Sequence, residues 1–151
     1  MGTMKKNDVY RDIEQNFGQV PGWIRQMPEP ALEGFWNLMR DFTLAETTIP
    51  NKYKELIGVA VSGATRCRYC ALFHTEAARL HGATDEEIAE ASMLAGHTMM
   101  SSTYIHAQQI DYDVFRKETL GMVAFAKANA SARKSTPAHR TESTRAERGR
   151  H

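Results

Sequence analysis

The sequence predicts an all-α protein of about six helices, with one helical domain over residues 1–130. Apolar residues recur three or four positions apart in successive segments, which is the period of an amphipathic helix. Glycines and prolines stand between these segments, where helices begin and end. No stretch alternates apolar and polar residues between turn signals, so the sequence predicts no β-sheet.

The N-terminal part of the chain predicts two helices and a connector. The first helix is expected over residues 7–18, where apolar residues recur every four positions from Val9 to Phe17. Residues 19–30 contain three prolines and form the connector. A second helix is expected over residues 31–42. Its apolar face is formed by Leu32, Phe35, Trp36, Met39 and Phe42.

Two helices are predicted in the middle of the chain. Pro50 suits the first turn of a helix over residues 52–64, because its missing N–H would be unpaired there anyway. Residues 56–61 are apolar almost throughout, so this helix must bury more than one face. Gly63 is expected to end or bend it just before the cysteines. The next helix, over residues 67–82, begins at the first cysteine.

Two longer helices and a tail follow. Thr84 and Glu87 form a T-x-x-E capping box, which opens a helix over residues 85–109. A last helix is expected over residues 111–130. Residues 131–151 contain no aromatic, Leu, Ile, Val or Met and carry six basic against two acidic residues. They cannot bury enough apolar surface to offset chain entropy, so they are predicted to form a disordered basic tail.

Composition limits the classes of partner. The 151 residues carry a formal net charge of +1, and no apolar run approaches the roughly 18 residues of a membrane span. The N-terminus has no apolar segment of the secretory type, so a cytoplasmic location without a membrane partner is expected. The basic tail can contact nucleic acid weakly, but a solvated extension is the simpler interpretation, and no nucleic-acid partner is predicted.

Both cysteines lie in the segment TRCRYCALFH, residues 65–74, and three interpretations are open. The cysteines can be two small buried residues, a redox pair, or ligands of zinc together with His74 and a carboxylate. No second Cys-x-x-Cys or His-x-x-x-His supplies further zinc ligands. A c-type haem needs His directly after the second cysteine, where Ala71 stands, and a thioredoxin-type fold needs flanking strands. No metal and no cofactor is therefore predicted.

The redox interpretation follows from helical spacing. Cys67 and Cys70 are three residues apart, and Cys70 and His74 are four apart, so all three share one helix face. The helix start favours negative charge and lowers a thiol pKa, and two flanking arginines act in the same direction. His74 can take a thiol proton if a carboxylate orients it. The only acid in the preceding helix is Glu55, and the apolar run after it indicates that its side chain points inward.

The pattern E-x11-C-x2-C-x3-H resembles the signature of the AhpD-like alkylhydroperoxidases, which belong to the carboxymuconolactone decarboxylase superfamily. It is formed by Glu55, Cys67, Cys70 and His74. Residues 17–38 are similar to the N-terminal segment of that family, and residues 49–88 to its core helical hairpin. The resemblance extends over about residues 7–130, which leaves only the tail unmatched.

The resemblance implies an AhpD-like helical bundle with the C-x-x-C at the start of a core helix, assembled into homo-oligomers, typically trimers or hexamers. It also implies an antioxidant enzyme that reduces alkyl hydroperoxides or hydrogen peroxide and is regenerated by an external dithiol or disulfide reductant protein. By the same resemblance, Cys70 is the peroxidatic cysteine and Cys67 resolves it. Glu55 and His74 form the proton relay, and no resident cofactor is implied.

One position departs from the family pattern. The best-known peroxidase members carry a histidine between the cysteines where this chain has Tyr69, whose phenol is a poor base near neutral pH. Thiol-disulfide oxidoreductase activity of the same two cysteines is therefore expected as an alternative to peroxidase activity. The alternatives are a carboxymuconolactone decarboxylase-like lactone decarboxylase, which needs no cysteine pair, and a non-enzymatic oligomeric binding protein.

Overall fold

A computed structural model describes residues 5–135. Helices form all the regular structure in this part of the chain, and no strand occurs in it, so the all-α prediction is confirmed. Of the predicted basic tail, residues 136–151 lie outside the described residues. The last helix continues to Ser135, past the predicted boundary at residue 130.

Seven α-helices and one π-helical segment follow one another in the described residues. They are α1 (Lys6–Phe17), α2 (Gly22–Arg25), α3 (Glu29–Leu38), the π-helical segment (Met39–Leu44), α4 (Asn51–Thr65), α5 (Arg68–Leu80), α6 (Asp85–Ala107) and α7 (Tyr112–Ser135). The helix beyond the predicted six is α2, a single turn inside the proline-containing connector. Four residues are too few for an apolar period to appear in the sequence.

The main cluster of buried apolar side chains joins α1, α2 and α3. Val9 and Ile13 of α1, Ile24 of α2, and Leu32 and Trp36 of α3 are each at most 1% exposed. Burial of one such side chain contributes about 1.5–3 kcal/mol. This cluster holds the N-terminal helices together and leaves the hairpin of α4 and α5 to form the candidate site.

The helices α4 and α5 pack against each other as an antiparallel hairpin joined by a two-residue turn. The buried side chains of α4 are Asn51, Glu55, Val59 and Ser62. They form one face, and most of them are polar. Within a single chain the apolar run 56–61 is therefore only partly covered, since Ile57 is 52% and Val61 is 55% exposed.

The start of α6 is fixed by the predicted capping box, which the structure contains. The backbone N–H of Glu87 donates to Thr84 Oγ1 at 3.2 Å, and the N–H of Thr84 donates to Glu87 Oε2 at 2.9 Å. Lys52 Nζ lies 2.6 Å from Glu87 Oε1, which ties the start of α6 to the first turn of α4.

The chain divides into two units, one ending at Ser102 and the other beginning at Thr103, so α6 contributes to both. All the candidate site residues lie in the first unit. The second unit contains the end of α6 and the described residues of α7. Within residues 5–135, each helix lacks the combination of length and apolar character that crossing a bilayer requires.

Candidate active site

The turn between α4 and α5 brings the first cysteine back over the end of α4. Arg66 adopts a left-handed conformation with φ 57°, and its N–H donates to the carbonyl of Gly63 at 3.2 Å. The N–H of Cys67 donates to the carbonyl of Ser62 at 3.0 Å. These two bonds form a Schellman motif. The helix α4 ends at Thr65, one residue beyond the predicted end at residue 64, and the chain reverses at Arg66 and not at Gly63.

Cys67 is the N-cap residue of α5. Its backbone is extended, with φ −88° and ψ 96°, and its Sγ accepts a hydrogen bond from the backbone N–H of Cys70 at 3.3 Å. The two sulfur atoms are hydrogen-bonded at 2.6 Å and both cysteines are free thiols. A disulfide needs an S–S distance of about 2.05 Å, so a small movement would suffice to form one.

The hydrogen bonds between the two cysteines shift their pKa values in opposite directions. The side-chain hydrogen bond from Cys70, followed by the backbone N–H of Cys70, lowers the pKa of Cys67. The side-chain hydrogen bond to Cys67 is the main cause that raises the pKa of Cys70, and desolvation adds to it. The contact between the two cysteines therefore favours a thiolate at Cys67 over a thiolate at Cys70.

Glu55 and His74 form the second pair of the site and join the two helices of the hairpin. The Oε2 atom of Glu55 lies 2.6 Å from Nδ1 of His74. The Glu55 side chain is only 2% exposed and points inward as predicted, whereas that of His74 is 24% exposed. An ionised carboxylate can only accept, so Nδ1 carries the shared proton and Nε2 is the ring nitrogen that remains for proton exchange.

Gly58 makes the close contact between the histidine and α4 possible. A Cβ atom at position 58 would overlap the imidazole ring of His74 and would lie 2.7 Å from its Cε1 atom. Only a residue without a side chain therefore permits this approach. The sequence interpretation missed Gly58. The available signal was a glycine inside a helix, one turn after the buried acid.

Phe73 borders the same histidine and was also missed. Its ring contacts the ring of His74 edge-on, with the centroids 5.2 Å apart. On another side Phe73 lines a cavity of about 230 Å³. The other lining residues are Phe17, Gln19, Pro21, Trp23 and Met39. An apolar cavity thus begins one side chain away from the imidazole.

The structure brings the four predicted residues together as two pairs. Cys67 contacts Cys70, and Glu55 contacts His74, while Cys70 and His74 are one turn apart on α5. Within residues 5–135, His74 has its hydrogen bond to Glu55 and none to either thiol. In the same residues no group of three or more His, Cys, Asp or Glu is arranged to hold a metal ion.

The fold and the site define a class of protein, namely an all-helical protein with a dithiol at the start of one helix and a buried acid on its partner. Residues 30–99 match the Carboxymuconolactone decarboxylase family. The chain belongs to the AhpD-like/carboxymuconolactone decarboxylase superfamily, as the resemblance predicted.

Individual relatives agree with this assignment. The crystal structure of an alkylhydroperoxidase AhpD core from Rhodospirillum rubrum is similar over 72% of this chain and 84% of that one, with 29% identity and a TM-score of 0.64. An uncharacterised protein of the cox locus of Paracoccus denitrificans is 37% identical over 65 residues, which are 43% of this chain and 59% of the relative. An uncharacterised protein of Cupriavidus necator is 35% identical over 79 residues, which are 52% of this chain and 66% of the relative. The matches thus span about three-fifths to two-thirds of these two relatives.

Proposed function

We propose that the chain is a thiol-dependent peroxidase that reduces an organic hydroperoxide and is regenerated by an external dithiol. The observation that carries the proposal is the juxtaposition of two free thiols, 2.6 Å apart, with a Glu55–His74 pair one helical turn away. Two thiols in contact supply an attacking and a resolving sulfur, and a histidine held by a carboxylate supplies proton transfer. The likeness to an alkylhydroperoxidase core supports the same reaction class.

The first half of the reaction consumes the peroxide. The thiolate of Cys70 attacks one oxygen of the O–O bond, which breaks and releases the other oxygen as an alkoxide. His74 supplies a proton from Nε2, directly or through water, so that the alcohol leaves neutral. Cys70 becomes a sulfenic acid, which is a two-electron oxidation of its sulfur.

The second half closes and reopens the disulfide. The thiolate of Cys67 attacks the sulfenic sulfur of Cys70, the S–O bond breaks, and the oxygen leaves as hydroxide, which becomes water by taking a proton from solvent. An external dithiol then reduces the disulfide by two exchange steps and is itself oxidised to a disulfide. The overall reaction converts one hydroperoxide and one dithiol into an alcohol, water and a disulfide.

The two sulfurs differ in ways that bear on which one attacks. The hydrogen bonds that Cys70 donates lower the pKa of Cys67, which favours Cys67 as the resting thiolate. Cys70 is the more exposed of the two and lies four residues before His74. Transfer of one proton from Cys70 to Nε2 of His74 would give the attacking thiolate at Cys70. We therefore assign the attack to Cys70 and the resolution to Cys67.

The apolar cavity beside Phe73 supports an organic hydroperoxide rather than hydrogen peroxide as the substrate. Its volume of about 230 Å³ is sufficient for a small alkyl or aryl group, and its lining is mostly aromatic and apolar. Burial of that group would contribute binding energy that hydrogen peroxide lacks. The lactone decarboxylase alternative rests on family membership alone, because the dithiol gives it no support.

A peroxide-consumption assay tests the proposal. Cumene hydroperoxide and hydrogen peroxide are each supplied with dithiothreitol, and the wild type is compared with Cys70→Ser, Cys67→Ser and His74→Ala. We expect Cys70→Ser to abolish turnover, and His74→Ala to lower kcat/KM by about 10²–10⁴-fold, the usual range for loss of an acid–base group. Cumene hydroperoxide should be the better substrate of the wild type.

The single-cysteine variants distinguish the two sulfurs. After one equivalent of peroxide, a dimedone probe should label a sulfenic acid at Cys70 in Cys67→Ser, because the resolving thiol is absent. Equal consumption by the wild type and Cys70→Ser would contradict the proposed function. Stable dimedone labelling of Cys67 in Cys70→Ser, with turnover retained, would reverse the assignment of the two sulfurs.

A further inference from the structure

We propose that Arg66 and Arg68 form a docking site for a reductant protein whose dithiol is surrounded by carboxylates. The inference rests on the proposed function, because it concerns the step in which the Cys67–Cys70 disulfide is reduced. It adds the chemical class of the reductant and the residues that select it. The sequence predicted that both arginines lower the thiol pKa, but in the structure neither is among the causes that shift the pKa of Cys67 or Cys70.

Arg66 occupies a position that favours glycine. It is the residue of the Schellman motif with positive φ, at 57°, where a side chain is sterically disfavoured and glycine is the usual choice. Strained backbone of this kind concentrates at functional sites. Arg66 is exposed and stands directly before Cys67 in the chain.

Arg68 is held on the other side of Cys67 by the residue that departs from the family pattern. Its guanidinium lies over the ring of Tyr69 at 5.0 Å from the centroid, and its Nη2 donates to the Tyr69 hydroxyl at 3.1 Å. Tyr69 is 73% exposed, so this pair stands in solvent beside the dithiol. Tyr69 is therefore a positioning residue for Arg68.

Neither the Arg66 nor the Arg68 guanidinium group forms a salt bridge with a carboxylate within residues 5–135. Between Glu46 and Glu76 the only acid is Glu55, which is buried and engaged by His74. The segment around the dithiol, residues 56–75, therefore carries two arginines and no acid. Guanidinium groups bind carboxylates by paired hydrogen bonds.

The exposure of the site favours a protein rather than a small molecule as the reductant. Cys70, Arg66, Arg68 and Tyr69 are all exposed, and the cysteines do not line the cavity beside Phe73. An open surface gives a small thiol few contacts, whereas a protein can cover it. Opposite charges on the two surfaces would also speed the encounter.

The exchange step can be written so that electrons balance. A thiolate of the reductant attacks the exposed sulfur of Cys70, the S–S bond breaks, and Cys67 leaves as a thiolate. The hydrogen bond from the backbone N–H of Cys70 stabilises that leaving group. The second thiol of the reductant then displaces Cys70 from the mixed disulfide, so the reductant ends as a disulfide and both cysteines are reduced.

Two synthetic dithiol peptides test the charge preference. Both contain Cys-Gly-Pro-Cys, one between flanks of glutamates and the other between flanks of lysines. The full chain is oxidised with diamide, and the return of its thiols is followed by alkylation. At low salt we expect the glutamate peptide to react about tenfold faster or more, and the ratio to approach one near 1 M salt, where charges are screened beyond about 3 Å.

Variants and further reductants complete the test. R66Q/R68Q should bring the peptide ratio close to one and leave the rate with neutral dithiothreitol within about twofold of wild type, since the charges act on docking. Tyr69→Ala should lower the ratio of the two peptide rates without bringing it to one, because Arg68 loses its contact with the phenol but keeps its charge. The matched control R116Q/K117Q removes two exposed charges from α7 and should keep the wild-type ratio.

The outcomes separate the two proposals. Equal peptide rates in the wild type, or an unchanged ratio in R66Q/R68Q, would overturn the docking site and leave the peroxidase intact. Glutathione reacting faster than the glutamate peptide would overturn the assignment to a protein. Failure of diamide to remove both thiols, or of dithiothreitol to restore them, would contradict the proposed function and this inference together.

Discussion

At the residue scale, Gly58 decides whether the histidine can reach the buried acid. A methyl group at this position would overlap the His74 ring, which is rigid and cannot yield as a flexible side chain can. Alanine is also a better helix former than glycine by about 1 kcal/mol, so α4 itself should not be weakened. The effect of a substitution would therefore fall on the position of His74.

Gly58→Ala should lower peroxidase kcat/KM by about a hundredfold, since a displacement of about 1 Å can have that effect on a catalytic group. Circular dichroism should show unchanged helix content. Gly63→Ala is the matched control, because Gly63 lies in the same helix and a Cβ there meets nothing within 4 Å. Wild-type kinetics in Gly58→Ala would contradict the role assigned to the Glu55–His74 contact.

The site residues were predictable from the sequence to different degrees. The inward orientation of Glu55 followed from the apolar run after it, and the shared face of the cysteines and His74 followed from helical spacing. The contact between Gly58 and His74 did not follow, because it depends on how closely two helices approach. Periodicity reports which face of a helix is buried, but it does not report the distance to the partner helix.

At the element scale, the turn between α4 and α5 places a residue with a strained backbone next to the first cysteine. The Schellman motif requires a left-handed residue, and here that residue is Arg66. A side chain in this conformation destabilises the folded state by roughly 1–2 kcal/mol. Glycine would remove this steric cost, but it also loses more chain entropy on folding, so the net gain would be smaller. The hairpin is thus less stable than a glycine at the same position would make it.

Arg66→Gly should raise the free energy of unfolding by up to about 1 kcal/mol and the melting temperature by about 2–4 °C. The same variant should reduce the preference for the acidic dithiol peptide. The control is Gln109→Gly at the end of α6, which also has positive φ, at 52°, and should stabilise without changing the redox preference. Denaturant unfolding measures both variants, and a destabilised Arg66→Gly would contradict the strain assigned to this position.

The sequence predicted those helices that are long and have a clear period of apolar residues. The capping box of α6 and the buried residues of α1 and α3 are examples. Phe42 was predicted to lie on the same apolar face as Leu32 and Trp36, but it belongs to the π-helical segment and is 59% exposed. The single turn α2 and the π-helical segment did not follow, since neither is long enough to carry its own period. The end of α4 was predicted to within one residue, but the reversal at Arg66 was missed because glycine is the usual residue at this position.

At the scale of the whole molecule, the apolar surface of the first unit indicates self-association. Ile57 and Val61 of α4 and Met93 and Leu94 of α6 are each more than half exposed. Burial of one such side chain stabilises a protein by about 1.5–3 kcal/mol, and a monomer does not gain this stabilisation. We therefore propose that the chain forms homo-oligomers, with the trimers or hexamers of the superfamily as the expected states.

Light scattering coupled to size-exclusion chromatography should report a mass that is a multiple of the 17.0 kDa chain. Leu94→Glu should shift the distribution towards the monomer, because a charge buried without a partner opposes association by several kcal/mol. Gln15→Glu adds the same charge at an exposed polar position of α1 and should leave the mass unchanged. A wild-type chain that remains monomeric at micromolar concentration would contradict the proposed assembly, and the exposed side chains of α4 and α6 would then require a different partner.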